Sequence, residues 1–380
     1  MHVLHIISST DPRGGGPAAA LVGMAVAQRD AGLAVTVCST WAAGEDLSVA
    51  DRFRECGINV ELIGPCAGPL RRHPQMKEII RRLIINADLV HIHALWEEIQ
   101  HRAAQVAQQL NKPYIITPHG MLTPWSLAQK SLKKKLYMAL RLNKNLRRAS
   151  AIHYTTQTER QMSASVAGAT PAIVESLGVD LSEFDQLPPK GAFRTKYPSI
   201  GDRPLIVFLG RIHPGKGLEY LVPAIAQLAN TETMLAIVGP DSQGYRAEIE
   251  KRVAQNNLRD RIVFTGLLRG PDRVAALRDA DLFCLPSDHE NFGVAIVEAL
   301  AAGTPVVISD QVNIKDEIRT AGVGGVVPTD ADALAKEIDQ WLANPARREH
   351  AASRCRAFVA DNYDWNTIAR HWAEHYSRLA

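Results

Sequence analysis

Two clusters of charged residues in the second half of the chain have the types and spacing for work on a phosphorylated ligand. In Gly210-Arg211-Ile212-His213-Pro214-Gly215-Lys216-Gly217 an arginine and a lysine stand five residues apart on a glycine-bearing loop, between an apolar run and a helical pattern. A guanidinium brings a planar fork of donors and an ammonium a compact charge, a pairing suited to a diphosphate. The loop lacks the G-x-x-x-x-G-K-[ST] spacing, so kinase and ATPase chemistry of that type is excluded. The ordinary alternative is two solvated cations.

The second cluster is Pro286-Ser287-Asp288-His289-Glu290-Asn291-Phe292-Gly293-Val294, running on to Glu298. Glu290 falls just before a predicted helix and Glu298 about two turns inside it. The amides of Phe292, Gly293 and Val294 would be the unsatisfied donors of that helix start, open to a phosphate or sugar oxygen. Glu298 lies in an apolar stretch, where an unpartnered carboxylate is costly to bury, so a ligand or an ion-pair partner must meet it. Eight residues of helix rise roughly 12 Å, whereas the carboxylate pairs of glycosidases stand about 5–9.5 Å apart. Two tasks at two points of one elongated ligand fit better than a hydrolytic pair.

The first half offers weaker signals. Gly14-Gly15-Gly16 sits between a strand pattern and a helix pattern, where glycines let backbone amides approach an anion. With Pro17-Ala18-Ala19 it satisfies a loose dinucleotide fingerprint. The loop is too long for that motif, however, and the second strand ends in Cys38-Ser39-Thr40 with no acid for a ribose, which disfavours a nicotinamide enzyme. Pro118-His119-Gly120 ends a buried strand, so His119 should point toward the ligand side, where an imidazole can meet a sugar hydroxyl or a phosphate. His91 and His93 alternate on one strand face; no third ligand stands at readable spacing, so no metal is expected there. Lys130 to Arg148 holds eight basic residues and no acid, with Leu132, Leu136, Leu140 and Leu142 or Met138 at helical spacing. It reads as an exposed helix packed on its sheet, or as a basic amphipathic surface that rests on anionic lipid.

These residues need a scaffold. The chain has 380 residues, 46% hydrophobic and 22% charged, which suits two globular domains and excludes a disordered or fibrous chain. Strand patterns at 2–8, 33–38, 58–63, 88–92, 113–117, 150–155 and 172–175 alternate with helical ones, including 126–147, and a second series runs through 204–209, 233–239, 261–265, 281–285, 304–308 and 323–327. Between them, residues 181–203 contain Pro188-Pro189, Gly191, Pro198 and Gly201 and read as a linker. The pattern predicts an α/β fold of two successive doubly wound domains with ligands at the carboxyl ends of the strands, and the last 35 residues look helical. Residues 1–190 carry 21 Lys+Arg against 16 Asp+Glu, a bias too weak to imply nucleic acid. No apolar run is long enough to span a bilayer and no secretory signal opens the chain. The five cysteines form no CxxC pair, so a reducing cytoplasm is expected, at the inner face of the membrane if 130–148 touches lipid.

Taken together, Gly210-Arg211 with Lys216-Gly217, the Glu-x7-Glu from Glu290 to Glu298 with its Phe292-Gly293, the first glycine loop, Pro118-His119-Gly120 and Gly178-Val179-Asp180 resemble the retaining, nucleotide-sugar-dependent group-one glycosyltransferases of the GT-B fold. The resemblance runs the whole length. It implies two Rossmann-like domains facing across a cleft: an acceptor-side domain over 1–185, on which a final helix of about 362–380 packs back, and a donor domain over 186–361. It implies further that Arg211 and Lys216 grip the diphosphate of a UDP- or GDP-linked sugar and that Glu298 accepts from ribose hydroxyls. Glu290 and His119 would lie by the donor sugar, the Phe292, Gly293 and Val294 amides would meet sugar or phosphate, and Gly15 and Gly16 would let the first loop close on the donor. No metal cofactor is implied. The acceptor would be a saccharide or a lipid-linked one, in glycan, polysaccharide or glycolipid synthesis. Rival readings are a nucleotide-sugar epimerase of the same fold and a non-catalytic nucleotide-sugar-binding protein.

Overall fold

The structure is a computed structural model and describes residues 1–14 and 16–380. Each expected strand pattern is a strand, within a residue or two of its expected ends. The first seven are β1 (His2–Ile7), β2 (Ala34–Thr40), β3 (Asn59–Ile63), β4 (Leu89–His93), β5 (Tyr114–Thr117), β6 (Ala151–Tyr154) and β7 (Ala172–Val174). They form one parallel sheet in the order β3-β2-β1-β4-β5-β6-β7. The remaining six are β8 (Leu205–Leu209), β9 (Met234–Val238), β10 (Ile262–Gly266), β11 (Leu282–Leu285), β12 (Val306–Ser309) and β13 (Gly324–Val327). They form a second parallel sheet, β10-β9-β8-β11-β12-β13. Parallel strands carry helices on both faces, which is why β4, β9 and β11 are buried throughout and read as unbroken apolar or histidine-bearing runs. In both sheets the order reverses beside the first strand, between β1 and β4 and between β8 and β11, the switch points at which doubly wound domains hold ligands.

The chain divides into Met1–Gly178 with Trp365–Ala380, and Val179–Asp364. The sequence alone puts these boundaries at 185/186 and about 362. In the second unit the Val179 amide donates to the Tyr363 carbonyl at 2.9 Å, and Val179 bridges Asp364, so the two ends of that unit leave it side by side. In the first unit the helix Trp365–Leu379 packs on the helix Gly16–Asp30. Trp365 fits where Gly23 and Gly178 carry no side chain: a β-carbon on either would meet its ring at 2.2 and 2.6 Å.

Two expectations need correction. Residues 181–203 are ordered structure of the second unit, with short helical turns at Leu181–Phe184 and Ala192–Lys196. The buried Asp279 carboxylate anchors them by accepting from the amides of Gly191, Phe193 and Arg194 at 2.6, 2.8 and 3.2 Å. Nor is 126–147 one helix on the sheet. It breaks into Pro124–Ala128, Ser131–Tyr137, a π-helical turn at Met138–Leu142 and Asn143–Arg148, with Lys130 left-handed at φ 53° before the second piece. A π turn inserts a residue and rotates the helix beyond it. Leu142 and Leu146 therefore face inward, while Leu132, Leu136 and Leu140 stand 81, 63 and 72% exposed.

Candidate active site

The two charged clusters of the second unit come together at its switch point. The Arg211–Gly217 loop leaves β8 and the Pro286–Gly293 loop leaves the neighbouring β11. The Asp288 amide donates to the Gly215 carbonyl at 3.0 Å. Gly217, at φ 80°, lets the first loop lie against the second: a β-carbon there would sit 1.9 Å from the Pro286 carbonyl oxygen. The Lys216 ammonium reaches across to Glu290 Oε2 at 2.5 Å. Glu290 is also held by its backbone, donating to the Gln311 carbonyl at 3.2 Å and accepting from the Asn313 amide at 3.0 Å. Behind it the Ser309 hydroxyl ties down the Ser287 carbonyl at 2.5 Å.

Arg211, five residues before Lys216 on the same loop, is half-buried and has no ion-pair partner among the described residues. The three side chains sum to one positive charge, a balance suited to an anionic ligand. Gly293, left-handed at φ 83°, caps the helix Val294–Ala301 and packs against Ile296 and the Glu290 stem. Phe292 is buried edge-to-face against Tyr363, with ring centroids 5.5 Å apart, and fixes the angle at which that helix starts.

Glu298 lies within that helix and meets Arg273 at 2.9 Å, while the same guanidinium bonds Glu183. Burial raises the Glu298 carboxyl pKa and Arg273 opposes the rise. One arginine is thus shared by two carboxylates. The sequence demands a partner for Glu298 but does not name Arg273, which stands 25 residues away on another helix. Burial lowers the pKa of His289, and the neighbouring Glu290 opposes the fall.

In the first unit, Gly14 and Gly16 flank the start of the helix Gly16–Asp30, and Gly15 lies outside the described residues. Asp11 organises the loop, accepting from the Arg13 amide at 2.8 Å and the Asp46 amide at 3.2 Å. His119 comes directly after β5 in the left-handed region at φ 50°. Such a conformation is costly outside glycine and concentrates at working sites. The buried Glu159 holds the turn by accepting from the Gly120 amide at 2.5 Å. Burial lowers the His119 pKa to about 4, so the ring is neutral.

Sequence reasoning misses the company His119 keeps. His91 and His93 gain a third neighbour, His5 on β1, with ring nitrogens of the three within 4.8 Å of one another. His5 and His93 are 88 positions apart, and only the parallel register that pairs His5 with His91 unites them. It also misses Arg71, which grips Glu45 through two nitrogens at 2.6 and 2.7 Å, and Glu97 beyond β4, whose pKa burial raises.

Comparison with known proteins gives the family. Residues 190–358 match the family of glycosyl transferases group 1, and residues 15–175 match the glycosyl transferase 4-like domain. The chain is 30% identical to the 2-deoxystreptamine glucosyltransferase of Streptomyces kanamyceticus over 77% of its own length and 78% of the relative's. It is 29% identical to a GDP-mannose-dependent alpha-(1-6)-phosphatidylinositol monomannoside mannosyltransferase of Mycolicibacterium smegmatis, over 60% of this chain and 62% of that one. Other curated relatives are matched over about half of their length. Among solved structures, Anabaena HepE in complex with UDP and glucose superposes with a TM-score of 0.84 at 22% identity, covering 100% of both chains. Fold and site thus define a two-domain α/β protein of the GT-B type. The chain belongs to the group 1 glycosyltransferases.

Proposed function

We propose that this protein is a retaining glycosyltransferase that moves a sugar from a UDP- or GDP-linked donor to an acceptor hydroxyl without a metal ion. The observation that carries the reading is the docking of the Arg211–Lys216 loop on the Glu290 loop at the β8/β11 switch point. Glycosyl transfer needs a departing diphosphate stabilised and a cationic sugar centre held against the acceptor. Arg211 and Lys216 meet the first need, with the amides of Phe292, Gly293 and Val294, and two fixed cations take the place a metal would have. A diphosphate that engages Lys216 exchanges with Glu290 for the ammonium, releasing that carboxylate toward the sugar. Glu298 accepts from the ribose hydroxyls. His119 and Gly16 are assigned to the donor on the strength of the resemblance alone.

The acceptor is a saccharide or a lipid-linked one. Its approach involves an anionic membrane at residues 130–148, where Leu132, Leu136 and Leu140 stand exposed among Lys130, Lys133 and Lys135. No described helix is long and apolar enough to cross a membrane; this surface would lie on one, by apolar insertion and charge. The mannosyltransferase relative, named for a phosphatidylinositol mannoside, supports a lipid acceptor.

The deciding experiment is thermal stabilisation by UDP, GDP and their sugars, with and without magnesium, and then release of nucleotide from the donor so found. Binding at a hundredfold excess over Kd adds about 2.7 kcal/mol. A metal-independent shift with one nucleotide, lost in Arg211→Ala, is expected; no shift with any nucleotide would overturn the reading.

A further inference from the structure

Five histidines of the first unit lie in one hydrogen-bonded chain on one face of its sheet. His5, His91, His93, Thr117 and His153 are all at most 2% exposed, as are Gln28 and Tyr376 on the helices that cover them. The contacts run without a gap. His153 Nε2 meets the Glu175 carbonyl at 2.8 Å, and His153 Nδ1 meets the Thr117 hydroxyl at 2.8 Å. Thr117 meets His91 Nε2 at 2.6 Å, and His91 Nδ1 meets the Tyr376 hydroxyl at 2.7 Å. Tyr376 takes the Gln28 amide at 3.0 Å, and the Gln28 carbonyl oxygen meets His5 Nε2 at 2.8 Å. His5 Nδ1 meets His93 Nε2 at 2.9 Å, and His93 Nδ1 meets His119 Nε2 at 3.2 Å.

Both nitrogens of His5, His91 and His93 are engaged in this chain, so their cluster is spoken for by hydrogen bonds. Burial lowers the pKa of every ring in it: His5 and His119 to about 4, His153 to about 3, and His91 and His93 well below the usual value. A neutral imidazole has one donor and one acceptor. The far end sets the direction of the whole chain, because a backbone carbonyl only accepts. His153 must donate from Nε2 to Glu175 and accept at Nδ1 from Thr117. Thr117 then accepts from His91 Nε2–H, and His91 Nδ1 accepts from Tyr376. Tyr376 accepts from the Gln28 NH2, whose carbonyl takes His5 Nε2–H. His5 Nδ1 accepts from His93 Nε2–H, and His93 Nδ1 from His119 Nε2–H.

We infer that this chain holds His119 as its Nε2–H tautomer, with Nδ1 left as a lone pair that accepts from a substrate hydroxyl. The inference rests on the reading of His119 as a donor-sugar contact and deepens it. A lone pair repels a phosphate oxygen, so His119 in this tautomer selects a hydroxyl over a phosphate. His5, His93, Gln28 and Tyr376 are positioning residues. A buried polar chain of this kind is costly when half satisfied, and its fixed direction is what the cost secures.

The test is a long-range 1H–15N correlation spectrum of the full chain labelled in histidine, with the His119 signals identified by their loss in His119→Ala. Expected are Nε2 protonated and Nδ1 bare; Nδ1 protonated overturns the inference without touching the transferase reading. Tyr376→Phe cuts the chain between His91 and Gln28, lets the Gln28 amide turn over and allows both His119 tautomers. The ratio of its kcat/KM for the donor to that of the parent should then equal the fraction of His119 remaining Nε2–H in its own spectrum. Retention of the His153 tautomer shows that the variant is folded. Lost activity with an unchanged His119 tautomer, or a changed tautomer with unchanged activity, overturns the inference. If the parent spectrum is as expected and His119→Ala keeps full turnover, the tautomer chain stands and the contact assigned to His119 falls.

Discussion

The two switch points of this molecule solve the same problem with opposite chemistry. Between β8 and β11 the side chains at the strand ends are charged, half-buried and paired across two loops, as in Lys216 with Glu290 at 2.5 Å. Between β1 and β4 the equivalent interior is filled with neutral imidazoles that burial keeps from taking a proton. Charge placed at a partly wet loop can be exchanged for the charge of a ligand. Charge under a sheet could not be, since an unpaired buried ion is far more costly than a satisfied neutral chain. The second unit thus presents exchangeable charge at its strand ends, and the first a satisfied neutral chain beneath its own.

The sharpest way to break this comparison is to remove charge from the second unit alone. Arg211→Ala should lower kcat/KM for the donor by about 10²–10³-fold, the scale for one lost stabilising donor at a developing negative charge. Its melting temperature should stay near the parent's, because Arg211 has no ion-pair partner among the described residues to abandon. Lys216→Ala and Glu290→Ala should each lower kcat/KM for the donor, and the double variant should depart from additivity because each group is the other's partner before the donor binds. Initial rates at varied donor concentration check both statements. Strictly additive losses would mean that the pair works as two independent groups.

Glycines sharpen the comparison next. Gly217→Ala places a β-carbon at 1.9 Å from a backbone oxygen in a left-handed conformation. Strain of about 1 kcal/mol for the backbone and about 1–3 kcal/mol for overpacking should destabilise the second unit by about 2–4 kcal/mol. Gly14→Ala in the first loop meets open space, and should change stability by less than about 0.5 kcal/mol. Denaturant unfolding of the two variants side by side measures the difference.

The sequence and the structure agree unevenly, for physical reasons. All thirteen strands are legible because parallel strands buried on both faces are short apolar runs with turn residues at their ends. The Arg211–Lys216 loop and the Glu290 loop are legible because each is local in sequence, and adjacent strands bring them together. The helices Ser48–Glu55 and Lys315–Ala321 leave no clear pattern, being short and largely polar. Arg273 and the histidine chain are out of reach because pairs such as His91 and Tyr376 are 285 residues apart. A signal does exist: His5, His91, His93 and His153 all fall inside apolar strand patterns, where a lone polar residue must find a partner. The apolar stripe of 130–148 is plain in the sequence, but its outward face depends on a π turn that no propensity announces.

Acid should separate the two units. The five chained histidines of the first unit, and His101, have folded pKa values below the unfolded 6.5. Above pH 6.5 they take nothing from stability. As pH falls from 6.5 toward 4 the unfolded chain binds protons that the folded one refuses, and stability drops by up to about 1.4 kcal/mol per group per pH unit. Asp11 and Glu45, with lowered carboxyl pKa values, lose their contribution only at lower pH. In the second unit burial lowers the pKa of His289. Hydrogen exchange at pH 5 against pH 7.5 should therefore show the first unit opening while the second stays protected. Equal losses in both would remove the histidine chain as the acid-sensitive element.

The smallest expected effect on stability carries the largest claim about location. Leu132, Leu136 and Leu140 touch little of the protein, so replacing all three by Gln should leave unfolding within about 0.5 kcal/mol of the parent for each site. On vesicles containing anionic lipid the same variant should float poorly, while the parent floats at low salt and is released as salt screens Lys130, Lys133 and Lys135. Binding that survives both the Leu changes and high salt would move the contact away from this stripe. Donor hydrolysis in solution, which needs neither acceptor nor membrane, should be untouched by the variant, so that the loss reads on where the acceptor is met and not on the chemistry.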